Sequence, residues 1–372
     1  PLRIPVIEMV EIGAGGGSIA RIDNLGRVQV GPESAGSEPG PACYGQGGTG
    51  ATVTDADVAL GRIAPEGFAG GSVSLSPELA QSALDKTIAQ NLNLDGPLAA
   101  FAVSEMVEEN MSNAARVHAV EQGKELAERT LIAFGGAAPL HACRMAEKLA
   151  MDRVIVPQGA GVGSAIGFLA APVSYEVVRS RYTQLVAFEP EGLNKMFQEM
   201  HDEAHAIVVS GAPDAALEER RIAYMRYIGQ GHEIVVEVPN RALTEADGPA
   251  LRQAYDKAYA DLFGRDIPSM EVEILTWALS IATKQAVPPE QAEVADAGPA
   301  TASGERKLFD ADLTDFVAAP VYQRDSLVPG MTLQGPALIA EAQTTTAVTA
   351  HFQARLDAAG HIELTRKLGE PS

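Results

Sequence analysis

The chain has 372 residues, 46% of them apolar and 21% charged, with a formal net charge of −21. That length supports two or three domains with real cores, and the composition is that of a folded rather than a disordered chain. So acidic a surface repels nucleic acid and anionic lipid, which excludes both as main partners, and no apolar run reaches membrane-spanning length.

Cys43 and Cys143 cannot build a disulfide framework and point to a reducing, cytoplasmic setting. The chain opens Pro1-Leu2-Arg3-Ile4-Pro5, without a signal peptide or initiating methionine, and reads as the middle of a larger protein. In the stretch IEMVEIGAGGGSIARID, Ile7–Asp23, an alternating apolar run reaches Ile12, and Gly13, Ala14, Gly15, Gly16, Gly17 and Ser18 follow. A second apolar run covers Ile19–Ile22. This spacing predicts strand, glycine loop, strand. With few side chains in the loop, backbone N–H groups can turn inward and cradle an anion. The loop is neither a Walker A motif nor a dinucleotide fingerprint, since no Gly-Lys-Ser/Thr follows and Ser18 replaces the last glycine. A tight hairpin with a flexible tip is the plainer reading.

Asn24-Leu25-Gly26 signals a turn, and Arg27–Val30 continues a small sheet. The stretch 31–52, GPESAGSEPGPACYGQGGTGAT, is long and aperiodic, but Cys43 and Tyr44 mark it as an ordered loop rather than a disordered one. Thr54-Asp55-Ala56-Asp57 then opens a short helix, with Thr54 as its cap and Asp57 at the capping-box position. Both aspartates serve either the cap or a metal or substrate. Glu33, Cys43, Tyr44, Asp55 and Asp57 are the candidates for the substrate or Mg²⁺ end of a site beside the glycine loop. Cys43 has no sequence partner for a Cys-His nucleophile, which favours packing or substrate contact.

Ser76-Pro77-Glu78 starts the next helix. A longer one covers Leu98–Gln122, with Val103, Met106, Val107, Met111, Ala114 and Val117 as its apolar stripe, His118 close to it as a core residue, and Gly123 as the stop. Thr130–Phe134 is a strand, Gly135-Gly136-Ala137-Ala138-Pro139 a second glycine turn, Leu140–Ala150 a helix and Arg153–Pro157 a strand. Gly159–Ser164 leads into a small-residue helix, Ala165–Ala171. Strands alternating with helices predict an α/β fold, and glycine turns entering helices suit binding sites at sheet ends.

From Glu189 the pattern changes. Leu193–Val209 and Thr244–Phe263 read as helices, and Glu218–Ile228, Glu233–Val238 and Val272–Thr283 as strands. Val287–Gly304 reads as a linker and Lys307–Lys367 as a small β-rich cap. The expected organisation is therefore 1–185, an α/β lobe; 186–286, an α+β region; 287–305, a linker; and 306–372, a β-rich domain. His201 and His205 share one helix face, but Asp202 stands where a zinc helix needs glutamate, so a solvated polar face is expected.

GAGGGSIA, GPESAGSEPGPACYGQGG with TVTDAD, AFGGAAPLHA, VIVPQGAGVGSAIG, YIGQGHEI and GPALIAEAQTTTAV occur in that order. Together they resemble the large A-type subunit of the hydantoinase/oxoprolinase family, which includes N-methylhydantoinase, 5-oxoprolinase, caprolactamase-like enzymes and the nucleotide-binding subunits of acetone and acetophenone carboxylases. The resemblance implies an actin/hexokinase-like ATPase fold of two lobes that uses ATP and Mg²⁺. It makes Gly13, Gly15, Gly16, Gly17 and Ser18 the phosphate hairpin, and puts Gly135, Gly136, Pro139 and His141 in the adenosine-side turn. Members of the family begin with a further lobe carrying the other phosphate clamp, and nothing here matches it. Ala138 stands where the family has glycine, and Gly163 where many members have phenylalanine.

The resemblance further implies phosphorylation of a cyclic-amide oxygen, which makes it a leaving group for ring opening on a B-type partner subunit. The same step on a ketone enol prepares carboxylation. A scaffold that only binds the partner subunit is the non-catalytic alternative.

Overall fold

The computed structural model describes residues 9–285 and 294–367. The expectations for Pro1–Pro5, for Ile7 and Glu8 and for residues 287–293 of the linker lie outside them. The chain divides into two units, Pro1–Leu169 with Glu290–Ser372, and Ala170–Pro289.

In the first unit β1 (Ser18–Ile22) and β2 (Val28–Ser34) form an antiparallel hairpin. Its turn is set by Asp23, whose Oδ1 accepts from the Leu25 and Arg27 amides at 2.8 and 2.9 Å. The glycine stretch is therefore not a hairpin tip between two strands. Met9–Ile12 form no strand, and Gly13–Ser18 lead into β1 as a turn. A strand requires a hydrogen-bonded neighbour, and Met9–Ile12 have none among the described residues. Gly13, at φ +59°, also breaks the extended path.

α1 (Val53–Ala59) begins one dipeptide earlier than the sequence suggests. Thr52, not Thr54, is the cap, and Asp55, not Asp57, completes the capping box. α2 (Pro77–Leu84) is capped by Ser76 as expected and runs through a π-helical turn, Asp85–Ala89, into α3 (Gln90–Leu92). α4 (Gly96–Glu121) starts at Asp95, whose side chain accepts from the Leu98 amide at 2.8 Å. Its Val103 and Val107 are buried with α1–α3, but Val117 at the far end is exposed.

β3 (Thr130–Ile132) pairs in parallel with β4 (Arg153–Val156), and α5 (Ala138–Lys148) connects them behind the Gly135-Gly136 turn. α6 (Gly163–Ala170) follows and buries none of its residues.

The second unit is a four-stranded antiparallel sheet built from β5 (Ser174–Gln184), β6 (Leu217–Tyr227), β7 (Ile234–Val238) and β8 (Val272–Thr283), in the order β5-β8-β6-β7. α7 (Pro190–Gly211) and α8 (Asp247–Phe263) supply Phe197, Met200, Leu251 and Tyr255 to its core. Trp277 of β8 is fully buried edge-on against Phe197, with ring centroids 5.7 Å apart. The unit starts at Ala170 rather than 186, because β5 pairs with β8 from Ser174↔Ala282 to Gln184↔Glu273.

The remaining strands return to the first unit. β9 (Gly298–Pro299), β12 (Met331–Gln334), β15 (Phe352–Leu356) and β16 (Ile362–Arg366) extend the β3-β4 pair into one sheet of order β3-β4-β16-β15-β12-β9. β10 (Gly304–Asp310), β11 (Asp315–Gln323), β13 (Ala337–Ala340) and β14 (Thr345–Val348) form a second sheet. The expected separate 306–372 domain is thus part of the first unit, and the end of the expected linker is a strand. The physical reason is β4: its Val154 and Val156 are fully buried, and β16 supplies the missing neighbour with Ile362 and Leu364, also at 0% exposure. Among the described residues no helix is long and apolar enough to cross a membrane.

If β16 belongs to this core, Leu364→Ala should cost about 2–5 kcal/mol, as buried leucines do. Urea unfolding followed by far-ultraviolet circular dichroism measures it, and an unchanged midpoint would refute the placement.

Candidate functional site

The Gly13–Ser18 turn is closed by one side chain. Ser18 Oγ accepts from the Gly15 amide at 3.0 Å and donates to the Gly13 carbonyl at 2.9 Å. The Gly16 carbonyl accepts from the Thr54 amide at 2.8 Å and the Gly17 carbonyl from the Ala35 amide at 2.9 Å, so the turn is pinned to α1 and to the end of β2. The Gly16 and Gly17 amides have no acceptor among the described residues. A side chain at either position would force its neighbour to shift: a Cβ on Gly16 would stand 2.6 Å from Thr54 Oγ1, and one on Gly17 would stand 2.8 Å from Ser34 Oγ. Fixed carbonyls with free amides fit an anion such as phosphate.

Asp55 is fully buried. Its oxygens accept from the Cys43 amide at 2.7 Å, the Ala42 amide at 3.2 Å, the Thr52 amide at 2.9 Å and Thr52 Oγ1 at 2.8 Å. Asp55 thus ties the 31–52 loop to the start of α1, which explains the order of that loop. Cys43 is fully buried, and burial pushes its thiol well above the ordinary range, so it is no nucleophile. Tyr44 is half-buried against Phe68, with centroids 5.6 Å apart, and burial raises its phenol. Glu33 is exposed and paired to Arg21 at 3.1 Å. Loop and glycine turn are neighbours, as expected, but Glu33, Asp55 and Cys43 are not presented together toward one ligand.

Asp57 enters a different constellation, a buried charge cluster joining α1, α4 and α5. Arg62 lies just beyond α1, and its NH1 donates to Asp57 Oδ1 at 3.0 Å, Ser104 Oγ at 2.7 Å and Glu108 Oε1 at 3.3 Å. His141 bridges the two acids, with Nδ1 3.0 Å from Glu108 Oε1 and Nε2 3.3 Å from Asp57 Oδ2. Burial opposes the charge on His141, but Asp57 and Glu108 outweigh it and raise the ring to about 9. Burial likewise opposes ionised Glu108, but Arg62, helped by His141 and Arg144, holds it at about 2.

His141, expected in the adenosine-side turn, has its ring turned into this cluster. It is 3% exposed and held in the cluster, and Pro139 is buried beside it in the first turn of α5. Nor do Asp55 and Asp57 fit as Mg²⁺ ligands, since protein donors occupy their oxygens. Among the described residues no group of three His, Cys, Asp or Glu side chains could hold a metal ion. His201 and His205 stack on each other, and His201 pairs with Glu219 at 2.5 Å, in keeping with a polar helix face.

Sequence reasoning missed Arg62, Ser104, Glu108 and Arg144. One signal was available: Ser104, Glu108 and Ser112 recur at every fourth residue beside the buried stripe of α4, and all three are fully buried.

Gly135, at φ +109°, donates its amide to Ala160 O at 2.7 Å, and the Gly136 carbonyl accepts from Thr344 Oγ1 at 2.8 Å. Phe134 beside this turn and Ile12 beside Gly13 line one apolar groove of about 460 Å³, with Met9, Ile132, His118 and Met145. The groove runs along the open edge of β3. Phe134 is 60% exposed, and Phe168 and Leu169 of α6 are 85% and 86% exposed. So much uncovered apolar surface marks an interaction face.

The first unit thus combines parallel and antiparallel strands with a pinned glycine turn and a second glycine turn entering a helix, and the second unit is an antiparallel sheet with two helices. The hydantoinase/oxoprolinase family model matches residues 1–177, and that of the hydantoinase/oxoprolinase C-terminal domain matches residues 183–366. The chain belongs to this family. It is 33% identical over 370 residues to caprolactamase subunit alpha from Pseudomonas jessenii, across 98% of this chain and 53% of that protein. Its fold is similar to that of nucleotide-free acetone carboxylase, with a TM-score of 0.77 at 26% identity, covering 95% of this chain and 52% of the other. It is also similar to the ATP-dependent caprolactamase of P. jessenii, with a TM-score of 0.76 at 32% identity and the same coverage. The chain thus spans about half the length of these proteins.

The cluster sets a pH dependence. Stability contributed by raised His141 is fully present below about 6.5 and is lost as pH rises through about 9. That contributed by lowered Glu108 is present above about 4.5 and is lost as pH falls through about 2. His141→Gln should flatten the alkaline limb, removing a slope on the order of 3 kcal/mol between those values. Denaturant titrations across pH check this, and an unchanged alkaline limb in the variant would refute the assignment.

Proposed function

We propose that this chain is the portion of an ATP-dependent cyclic-amide hydrolase that carries one side of the nucleotide site. The observation that carries the reading is the common groove: the residues next to both glycine turns line it, and one turn has two free amides. ATP, when bound, would supply the phosphoryl group that converts a resonance-stabilised amide oxygen into a leaving group. The Gly16 and Gly17 amides would bind phosphate oxygens. Ser18 and Thr54 hold those amides in place in advance, so little reorganisation is needed when charge develops. The Gly135-Gly136 turn would hold the nucleoside end. The buried cluster keeps α5 fixed relative to α1 and serves as a positioning element, not a reacting one.

An actin/hexokinase-like two-lobed site is the arrangement this reading requires. The open edge of β3 and its apolar surroundings would be covered by the half of the related proteins that this chain does not match, completing the phosphate clamp. A B-type subunit would carry the ring opening, with Mg²⁺ held outside the acids described above. The likeness to acetone carboxylase supports a second reading, in which the same phosphorylation activates a ketone.

The 372-residue chain alone should bind ATP only weakly, and micromolar affinity in calorimetry would overturn the half-site. In the complete enzyme, Gly17→Val should lower ATP turnover by at least about tenfold, because the Ser34 contact displaces the turn. Phosphate release stimulated by hydantoins and lactams but not by ketones would support the hydrolase, and the reverse would support the carboxylase.

A further inference from the structure

Gly136 also lines a second cavity, of about 340 Å³, that lies wholly within the first unit. Ile63, Phe68 and Leu140 form its apolar wall, and Arg306 and Glu341 stand among its polar residues. The cavity is held from two sides. The Gly70 amide donates to Ala342 O at 2.8 Å, and Thr344 Oγ1 holds Gly136 O. Its frame is therefore built rather than left by loose packing.

Arg306, Asp325 and Glu341 are its charged residues, and neither Arg306 nor Glu341 forms an ion pair among the described residues. Arg306, on β10, is half-buried, and burial pushes its guanidinium down. Its bond to Arg62 O is long, at 3.4 Å, and it forms no ion pair among the described residues. Glu341 lies between β13 and β14, and burial pushes its carboxyl up. Its Oε1 is buried without a hydrogen-bond partner. Arg324 lowers and Asp325 raises the Glu341 carboxyl, and Glu66 raises the Arg306 guanidinium, while no hydrogen bond or ion pair joins Arg306 to Glu341 among the described residues. A partly desolvated cation and an orphaned carboxylate oxygen in one cavity call for a ligand that satisfies both.

We propose that this cavity binds a small carboxylate that also carries an N–H donor. The carboxylate would sit on Arg306, the N–H on Glu341 Oε1, and the carbon skeleton against Phe68 and Leu140. Arginine is suited to the first contact by its forked donors. A phosphate or nucleotide is disfavoured, because Glu341 and Asp325 would repel its multiple charges. The inference rests on this cavity alone and stands or falls independently of the nucleotide reading.

The test is calorimetry on the 372-residue chain with 4-aminobutyrate, which carries both groups, against butyrate and butylamine, which carry one each. The expected result is binding of 4-aminobutyrate at least about tenfold tighter than either control. Arg306→Met and the near-isosteric Glu341→Gln should each weaken it by about tenfold or more, while melting curves report whether each variant is folded. Excess ATP should leave the binding unchanged. Equal binding of the controls, undiminished binding in folded Glu341→Gln, competition by ATP, or no binding at millimolar 4-aminobutyrate would each overturn the proposal.

Discussion

The first unit depends on a charge cluster that has almost no access to water. Arg62, Asp57, Glu108 and His141 come from the end of α1, from α4 and from α5, and each is less than a tenth exposed. Bringing such groups out of water is expensive, and removing one partner of a buried pair typically costs about 3–5 kcal/mol because the other is left uncompensated. The cluster therefore acts as an all-or-none fastening. It requires three helices to meet in one register, and the two glycine turns lie at the ends of segments it holds: Thr54, one turn before Asp57 on α1, pins Gly16, and His141 lies in the first turns of α5 behind Gly136.

Asp55 does the same over a shorter range. Its carboxylate collects the amides of Ala42 and Cys43 and both donors of Thr52, so an aperiodic loop of more than twenty residues is held by one buried side chain. Asp55 and Asp57, two positions apart and read as serving either the cap or a metal or substrate, are thus divided between a cap and an ion cluster. What remains available to a ligand is backbone: the amides of Gly16 and Gly17, in a turn where side chains would collide with Thr54 and Ser34.

The Gly135-Gly136 turn lies between two different environments. Phe134 faces the apolar groove along the open edge of β3, and Gly136 lines the polar cavity of Arg306 and Glu341. Uncovered sheet edges are managed in folded proteins by charge, bulges or a covering element. Here the edge carries Ile132 and Phe134, each 60% exposed. That exposure fits a chain spanning about half of its relatives.

Much was legible in the sequence wherever the signal is local. The Ser76 cap, the Gly135-Gly136 turn into α5, the buried strand β8 and the family motifs depend on residues within a few positions of one another, so the amino-acid order alone determined them. Other features needed partners that arrive from far along the chain. TVTDAD contains Thr-x-x-Asp in two registers, and local rules cannot choose between them. The choice fell to Thr52 and Asp55 because the Ala42 and Cys43 amides come to meet Asp55, while Arg62 and His141 claim Asp57. Residues 362–366 read as part of a separate cap until β4, some two hundred residues earlier, supplied their neighbour. Glu108 went unnoticed in the sequence, because only its burial beside Arg62 and His141 gives it charge partners. Composition, caps and turns are written in the order of residues, whereas which buried charge meets which, and which strand closes which sheet, is decided only when distant segments compete for the same partners in the folded chain.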